Sequence, residues 1–443
     1  MRKAILMLLL AICGRAANAQ VKTPELKWTF SEDATKYVKV TALAQTWLRY
    51  NQNNPGSVVS GGGVVPHSKE EKETIDIGLR RVRFQLMGSL SEKTFFYVQL
   101  GQNNLNYLTS RKTGFFLHDA IGEYNFSKHI GIGAGLTGWT GFSRYSAPAV
   151  GSIVGLDAPL YLQATNDVND QFLRKLSVYA KGKWGKLDYR LILSKPFELA
   201  TSANSASAYV ISSDAKFSPY APHLQPSAYV YYAFKDEEAN TTPYMTGSYL
   251  GTKSVLNVGA GVEYQKEAIW FQNDAQDTVY HNMLLAAVDV IYDAPLNKEN
   301  GSAIHIYGVF TSYDFGKNYL RNVGPMNPMD AVNANGTLNA EGNKVPLVGT
   351  GNSMYVQTAC LLPRSAESKG KARFMPYASC QYSQYEKLKD PMIMYEAGCS
   401  VLTDGHRSKL TVGAQLRPIF DGSTLEQTSY NTMAVVQYQL AFL

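Results

Sequence analysis

The chain has 443 residues, 45% hydrophobic and 18% charged, with 42 basic side chains against 36 acidic ones. That length is too great for one small domain, and the near-balance of charge gives no ground for a polyanion partner, so no nucleic-acid partner is expected. Tyr is abundant, 29 against 18 Phe and 5 Trp; membrane barrels use such rings as girdles, though any Tyr-rich all-β protein would share the excess.

Residues Met1–Ala19 read as a secretory signal. Arg2 and Lys3 form a basic start, Ile5–Ile12 a short apolar core, and Ala17-Asn18-Ala19 a small-residue cleavage site. The alternative is a lipoprotein signal cleaved before Cys13, where Ile12 is larger than the residue wanted. Removing Arg2, Lys3 and Arg15 leaves 39 basic against 36 acidic side chains. Residues 20–36 read as an N-terminal periplasmic segment. No later stretch approaches the ~18 consecutive apolar residues that a spanning helix needs.

From residue 37 to 443 the chain divides at its turn signals into segments of roughly ten residues, the strand length of a membrane barrel. The predicted strands are 37–50, 74–90, 93–101, 116–126, 129–138, 173–183, 187–195, 225–235, 255–265, 281–293, 302–315, 350–363, 371–384, 391–401, 407–418 and 431–443. Apolar and polar residues alternate along them, with period two. Val82, Phe84 and Leu86 alternate with Arg81, Arg83 and Gln85. Leu187, Tyr189 and Leu191 alternate with Asp188 and Arg190. In the last segment Ala434, Val436, Tyr438, Leu440 and Phe442 share one face. Helical spacing is not present. The fold class is all-β: a single transmembrane antiparallel barrel of sixteen strands.

The connections alternate as well. Ser91-Glu92, Ser127-Lys128, 184–186, 294–301 and 402–406 are short; 51–73, 102–115, 139–172, 196–224 and 316–349 are long. Outer-membrane barrels keep short turns at the periplasm and long loops outside. The connection 236–254 breaks the pattern, being long where a short one is due. A weak strand around Tyr244–Leu250 would raise the count to eighteen.

The alternation turns Arg81, Arg83, Lys175, Lys181, Lys183, Arg190, Arg373, Lys409 and Arg417 inward, with Asp119, Glu123, Asp188, Glu263 and Asp289. In a barrel of this width a polar interior is a water-filled channel, and wall charges bias which ions pass. The opposing reading is that the two signs pair and merely line a wide hole. Loop 139–172, rich in Gly and Pro and carrying Arg144, is the candidate constriction; a lid on the outer surface is the alternative. These ten basic residues, Arg144 included, are the predicted pore lining.

Cys360, Cys380 and Cys399, an odd number, fall in phase with apolar neighbours and read as small lipid-facing hydrophobes rather than a disulfide framework. No zincin, nucleophile-elbow, P-loop, C-x-x-C or EF-hand pattern is present, so no catalytic residue, cofactor or metal is expected. The seven histidines are scattered singly. Asn166–Asp170 offers oxygens for a cation but reads better as a solvated loop.

The run Asp76-Ile-Gly-Leu-Arg-Arg-Val-Arg-Phe-Gln-Leu-Met-Gly88, with Phe95–Leu100, resembles the early hairpin of the phosphate-selective porin O and P family. Ala120–Phe126, Ile130–Leu136 and Gly141-Phe-Ser-Arg-Tyr145 are similar to its next hairpin and loop start. The resemblance covers residues 74–150. Gly138-Trp139-Thr140 stands where that family has a Lys. It implies a sixteen-stranded homotrimeric porin in the outer membrane of a Gram-negative bacterium. The expected function is passive diffusion of small hydrophilic solutes across outer-membrane lipid, with at most a mild preference for anions. The alternative is a plugged structural or interaction barrel of a surface secretion or adhesion system.

Overall fold

The computed structural model describes residues 25–60, 69–199, 210–220, 222–332, 336–364 and 372–442. The signal expected at 1–19 lies outside these residues.

Sixteen strands form the wall. They are β1 (Tyr37–Gln52), β2 (Glu73–Ser91), β3 (Thr94–Leu105), β4 (Phe116–Ser127), β5 (Ile130–Thr137), β6 (Lys175–Trp184), β7 (Leu187–Lys195) and β8 (Gln225–Ala233). Then come β9 (Val255–Gln272), β10 (Thr278–Asn297), β11 (Ser302–Asp314), β12 (Gly351–Leu361), β13 (Arg373–Tyr385), β14 (Met392–Asp404), β15 (Ser408–Phe420) and β16 (Gln427–Phe442). Each pairs antiparallel with its sequence neighbour, and β1 pairs with β16, Ala42 opposite Phe442, which closes the barrel. Closure removes the exposed sheet edge and satisfies every ladder hydrogen bond within the protein, as hydrocarbon requires. Two short pieces extend the sheet: Leu26–Thr29 beside the start of β1, and Lys216–Phe217 beside the top of β9.

All sixteen predicted strands are present. The predicted gap 266–280 shrinks to a tight hairpin because β9 and β10 continue to Gln272 and Thr278. The long connection 236–254 adds no wall strand, so the barrel has sixteen strands and not eighteen.

Alternation along each strand sets the two faces. On β7, Leu187, Leu191 and Leu193 are exposed outward while Asp188, Arg190 and Ser194 are buried inward. Exposed apolar side chains all round a closed barrel are the surface of a protein that sits in lipid. Aromatic residues mark both rims. Tyr124 with Phe126 and Tyr232 with Phe234 cluster at the short-turn end, and Tyr220 with Trp270 and Tyr280 at the long-loop end. Cys360, Cys380 and Cys399 lie on the outward face of their strands.

One bulge matters for the interior. Gln45 faces Arg81 and Thr46 faces Leu79, so Arg80 is an extra residue in β2. A bulge shifts the phase of a strand by one. Arg80 and Arg81 are therefore both buried inward, and Asp76 and Gly78 beyond the bulge face inward as well.

The interior is not uniformly wet, which corrects the expectation from alternation. Strands β10 and β11 turn Leu285, Ile291, Tyr307, Val309 and Tyr313 inward, where they pack with Phe142, Tyr145, Tyr161 and Leu162 of loop 139–172. That half of the lumen is filled with packed side chains, with Asp289, Asp293 and His305 buried among them. Most other inward charges face the remaining space.

Candidate functional site

Loop 139–172 runs inside the barrel rather than over it. Its backbone crosses β9 at Gly261, where a Cβ would collide with the Phe142 carbonyl oxygen; only glycine lets two backbones approach so closely. The Tyr313 hydroxyl donates to the Tyr161 carbonyl at 3.0 Å, and Lys409 Nζ to the Ile153 carbonyl at 2.7 Å. The Leu156 N–H donates to the Glu396 carboxylate at 3.1 Å. These contacts span the lumen from wall to wall.

The connection 236–254 enters from the opposite end and meets this loop. Met245 forms a two-way backbone pairing with it: the Ala149 N–H donates to the Met245 carbonyl at 2.8 Å, and the Met245 N–H to the Ala147 carbonyl at 2.9 Å. The Ser248 N–H donates to the Ser152 carbonyl at 3.0 Å, and Gly247 leaves no Cβ to strike that same carbonyl. The Arg144 guanidinium donates to both oxygens of Glu238 at 2.7 Å each, and Asn257 and the Tyr249 hydroxyl donate to the same carboxylate. Burial alone would raise the Glu238 carboxyl, but Arg144 and its hydrogen bonds hold it below the usual carboxylate range.

What stays open is a cavity of about 550 Å³ along the inner faces of β1–β3. Lys39, Thr41 and Met87 line it near the short turns; Asn104, Arg321 and Pro325 line it near the long loops. Arg80 to Met87 alone spans about 20 Å at the usual rise per residue. Loop residues Leu160, Asp167, Phe172 and Leu173 form the facing side.

Of the ten predicted lining residues, Arg81 and Arg83 face this cavity. Arg81 donates to Asp157 and, at 2.9 Å, to the Gln45 side-chain oxygen. Arg83 donates to the Val82 and Gln102 carbonyls, each at 2.9 Å, and to Asn103. The others point inward or towards a rim but are engaged elsewhere. Lys175 pairs with Glu263 at 3.5 Å, Lys181 with Glu123 at 3.0 Å, Lys183 with Glu237 at 3.2 Å and Arg190 with Asp188 at 3.5 Å. Lys181, Lys183 and Arg190 also donate to carbonyls of 236–254. Arg417 is buried against Asn51 and the Gln52 carbonyl, and half-buried Arg373 donates to the Gly301 carbonyl. The paired reading of the inward charges describes most of them.

Several residues at the site escaped the alternation argument. Arg80 shares Asp157 with Arg81, donating at 3.0 and 3.2 Å. An arginine in lipid-facing phase was the available signal, since charge there is costly. Arg174 donates to Asp119 at 3.2 Å and to the Tyr244 hydroxyl at 2.7 Å. Arg321 donates to the Asn166 and Ala164 carbonyls. Burial would raise Asp157, yet Arg80 and Arg81 keep it below the ordinary range. Asp167 is exposed, as expected of a solvated loop, yet the protein around its carboxyl desolvates it and, with Asp170, pushes it up to about 6. Among the described residues no cluster of His, Cys, Asp and Glu is arranged to hold a metal ion.

No protein-family model matches the chain, and no curated protein matches it in sequence. Among solved structures the barrel superposes on the porin OmpF of Salmonella typhi with a TM-score of 0.52 and 10% identity, covering 94% of this chain and 100% of that one. It superposes on the porin OprB of Pseudomonas putida with a TM-score of 0.51 and 9% identity, covering 91% and 94%. At these identities the likeness is one of fold: the chain carries the closed, antiparallel barrel of those porins.

Proposed function

We propose that the protein is a porin in the outer membrane of a Gram-negative bacterium, passing small hydrophilic solutes by passive diffusion with a mild preference for anions. The carrying observation is the cavity beside β1–β3. It runs along the wall from Lys39 to Pro325, is bounded by loop 139–172, and is edged by more guanidinium groups than carboxylates. Excess wall charge of one sign raises the local concentration of the opposite ion. The apolar outer face and the rims of aromatic residues support a seat in outer-membrane lipid.

The resemblance of residues 74–150 to the phosphate-selective porin O and P family supports the barrel class and a homotrimer. Phosphate selectivity is not included, because it needs a dense ladder of uncompensated cations. Here Lys175, Lys181 and Arg190 are paired and Arg80 with Arg81 share a carboxylate. The test is single-channel current in a planar bilayer under a salt gradient. Steady conductance with a reversal potential on the anion side is expected. Absence of conductance would favour the plugged structural barrel, and cation selectivity would remove the role given to the arginines.

A further inference from the structure

Five guanidinium groups meet at the β1–β3 cavity: Arg80, Arg81, Arg83, Arg174 and Arg321. Three carboxylates answer them. Asp157 serves Arg80 and Arg81, Asp119 serves Arg174, and Asp167 lies on the cavity wall. Among the described residues, the hydrogen-bond partners of Arg83 and Arg321 are backbone carbonyls and one asparagine, all uncharged. Arg83 is buried with no carboxylate bonded to it, while Arg321 is half-buried and acts on Asp167 across the cavity wall. A buried cation without a bonded counter-charge is expensive, so an anion entering this space is stabilised beside Arg83.

Beside this space two further buried polar atoms have no hydrogen-bond partner among the described residues: the hydroxyl of Tyr97, whose side chain is 1% exposed, and Oδ1 of half-buried Asn166. Both residues line the cavity. The lining also carries apolar side chains, Leu43 beside Arg83 on the neighbouring strand and Leu160, Phe172, Leu173 and Val323 from the loops. A volume of about 550 Å³ falls in the range of small-molecule sites.

We propose that this cavity is a binding site for a small organic anion, a carboxylate carrying an apolar body. The carboxylate takes the planar donors of Arg83 and Arg321, which suit its geometry, and the Tyr97 hydroxyl. The body lies against Leu160, Phe172 and Leu173. Inorganic phosphate would satisfy the cations but leave those apolar side chains facing water. The site deepens the diffusion reading and rests on it for its consequence, that such solutes pass through an occupied step rather than an empty hole.

The test is calorimetric titration of the full-length barrel in detergent with benzoate, inorganic phosphate and neutral benzamide, for the wild type and three variants. Benzoate is expected to saturate one site, at least about tenfold more tightly than phosphate. Arg83→Gln and Arg321→Gln should each weaken benzoate about tenfold, and Tyr97→Phe a few-fold, by loss of charged and neutral hydrogen bonds. Benzamide should bind weakly and be indifferent to both arginine variants. Absence of benzoate binding, equal binding of phosphate, or benzoate affinity unchanged in Arg321→Gln would overturn the proposal. Arg321 lies in the outer loop between β11 and β12, so its variant stays informative should Arg83→Gln fail to fold. Because binding is read without current, a shut channel that binds benzoate would defeat the diffusion reading alone, and a conducting channel that does not would defeat the site alone.

Discussion

Arg144 and Glu238 join the two segments that fill the lumen, one entering from the long-loop end and the other from the short-turn end. The guanidinium and carboxylate meet two-to-two at 2.7 Å, and both side chains are almost wholly buried. Removing one partner of such a pair leaves a buried charge uncompensated, at about 3–5 kcal/mol. Glu238→Gln is therefore expected to lower thermal stability and to free loop 139–172 from its anchor. Single-channel conductance should rise and become noisy. Unchanged conductance in a folded variant would show that the 236–254 segment does not hold the constriction.

Asp157 sets the charge beside the β1–β3 cavity. Among the described residues it alone pairs with Arg80 and Arg81, its carboxylate accepting from both. Asp157→Asn keeps the shape and removes the negative charge, so the cavity gains one unit of positive potential beside two adjacent arginines. The reversal potential in a salt gradient should move towards the anion limit. Stability should fall, because Arg80 and Arg81 repel each other once unshielded. A shift towards cations would contradict the path drawn along β1–β3.

The wall was legible in the sequence because its signals are local. Period-two alternation and turn residues place Leu187–Lys195 or Ser408–Phe420 without knowledge of anything distant. The bulge at Arg80 broke the alternation by one residue and hid an arginine that faces the lumen. The length of 236–254 announced an anomaly, but its destination depends on Arg144, Ser152 and Met245 meeting far from their sequence neighbours. The filled half was illegible for another reason. A strand with apolar residues on both faces, such as that bearing Tyr307 and Phe310, does not say whether its inward side meets water or a folded-in loop.

Asp167 is placed to give the β1–β3 cavity a pH response. Although the residue is exposed, the surrounding protein desolvates its carboxyl and, with Asp170, raises it to about 6 from the ordinary 3.8. A raised acid stabilises the fold most fully below its unfolded value and loses that contribution as pH rises through the folded one. Asp157 and Glu238 are depressed, so their contributions persist above their unfolded values and fade only in stronger acid. Between pH 7 and pH 5 Asp167 is thus the group of these three that changes charge. Protonation removes a negative charge from the cavity wall, so anion preference should grow as pH falls, with a midpoint near 6. Asp167→Asn should hold the acid-side preference at every pH. A wild-type reversal potential flat from pH 7.5 to 5 would set this assignment aside.

Three cysteines report which face meets lipid. Cys360 stands opposite Ile304, Cys380 opposite Val356 and Tyr395, and Cys399 opposite Val412. Each lies on the outward side of its strand. In lipid vesicles a charged, membrane-impermeant maleimide should leave all three unmodified, because the reagent cannot leave water to reach an outward face seated in hydrocarbon. Unfolding in urea and detergent should expose three reactive thiols, counted by mass, which a disulfide would reduce to one. As a control, cysteine placed at Ser353, on the inward face of the Cys360 strand, presents a thiol to the lumen. Its labelling by the charged reagent reads how far water reaches into the half of the barrel that the loops have filled.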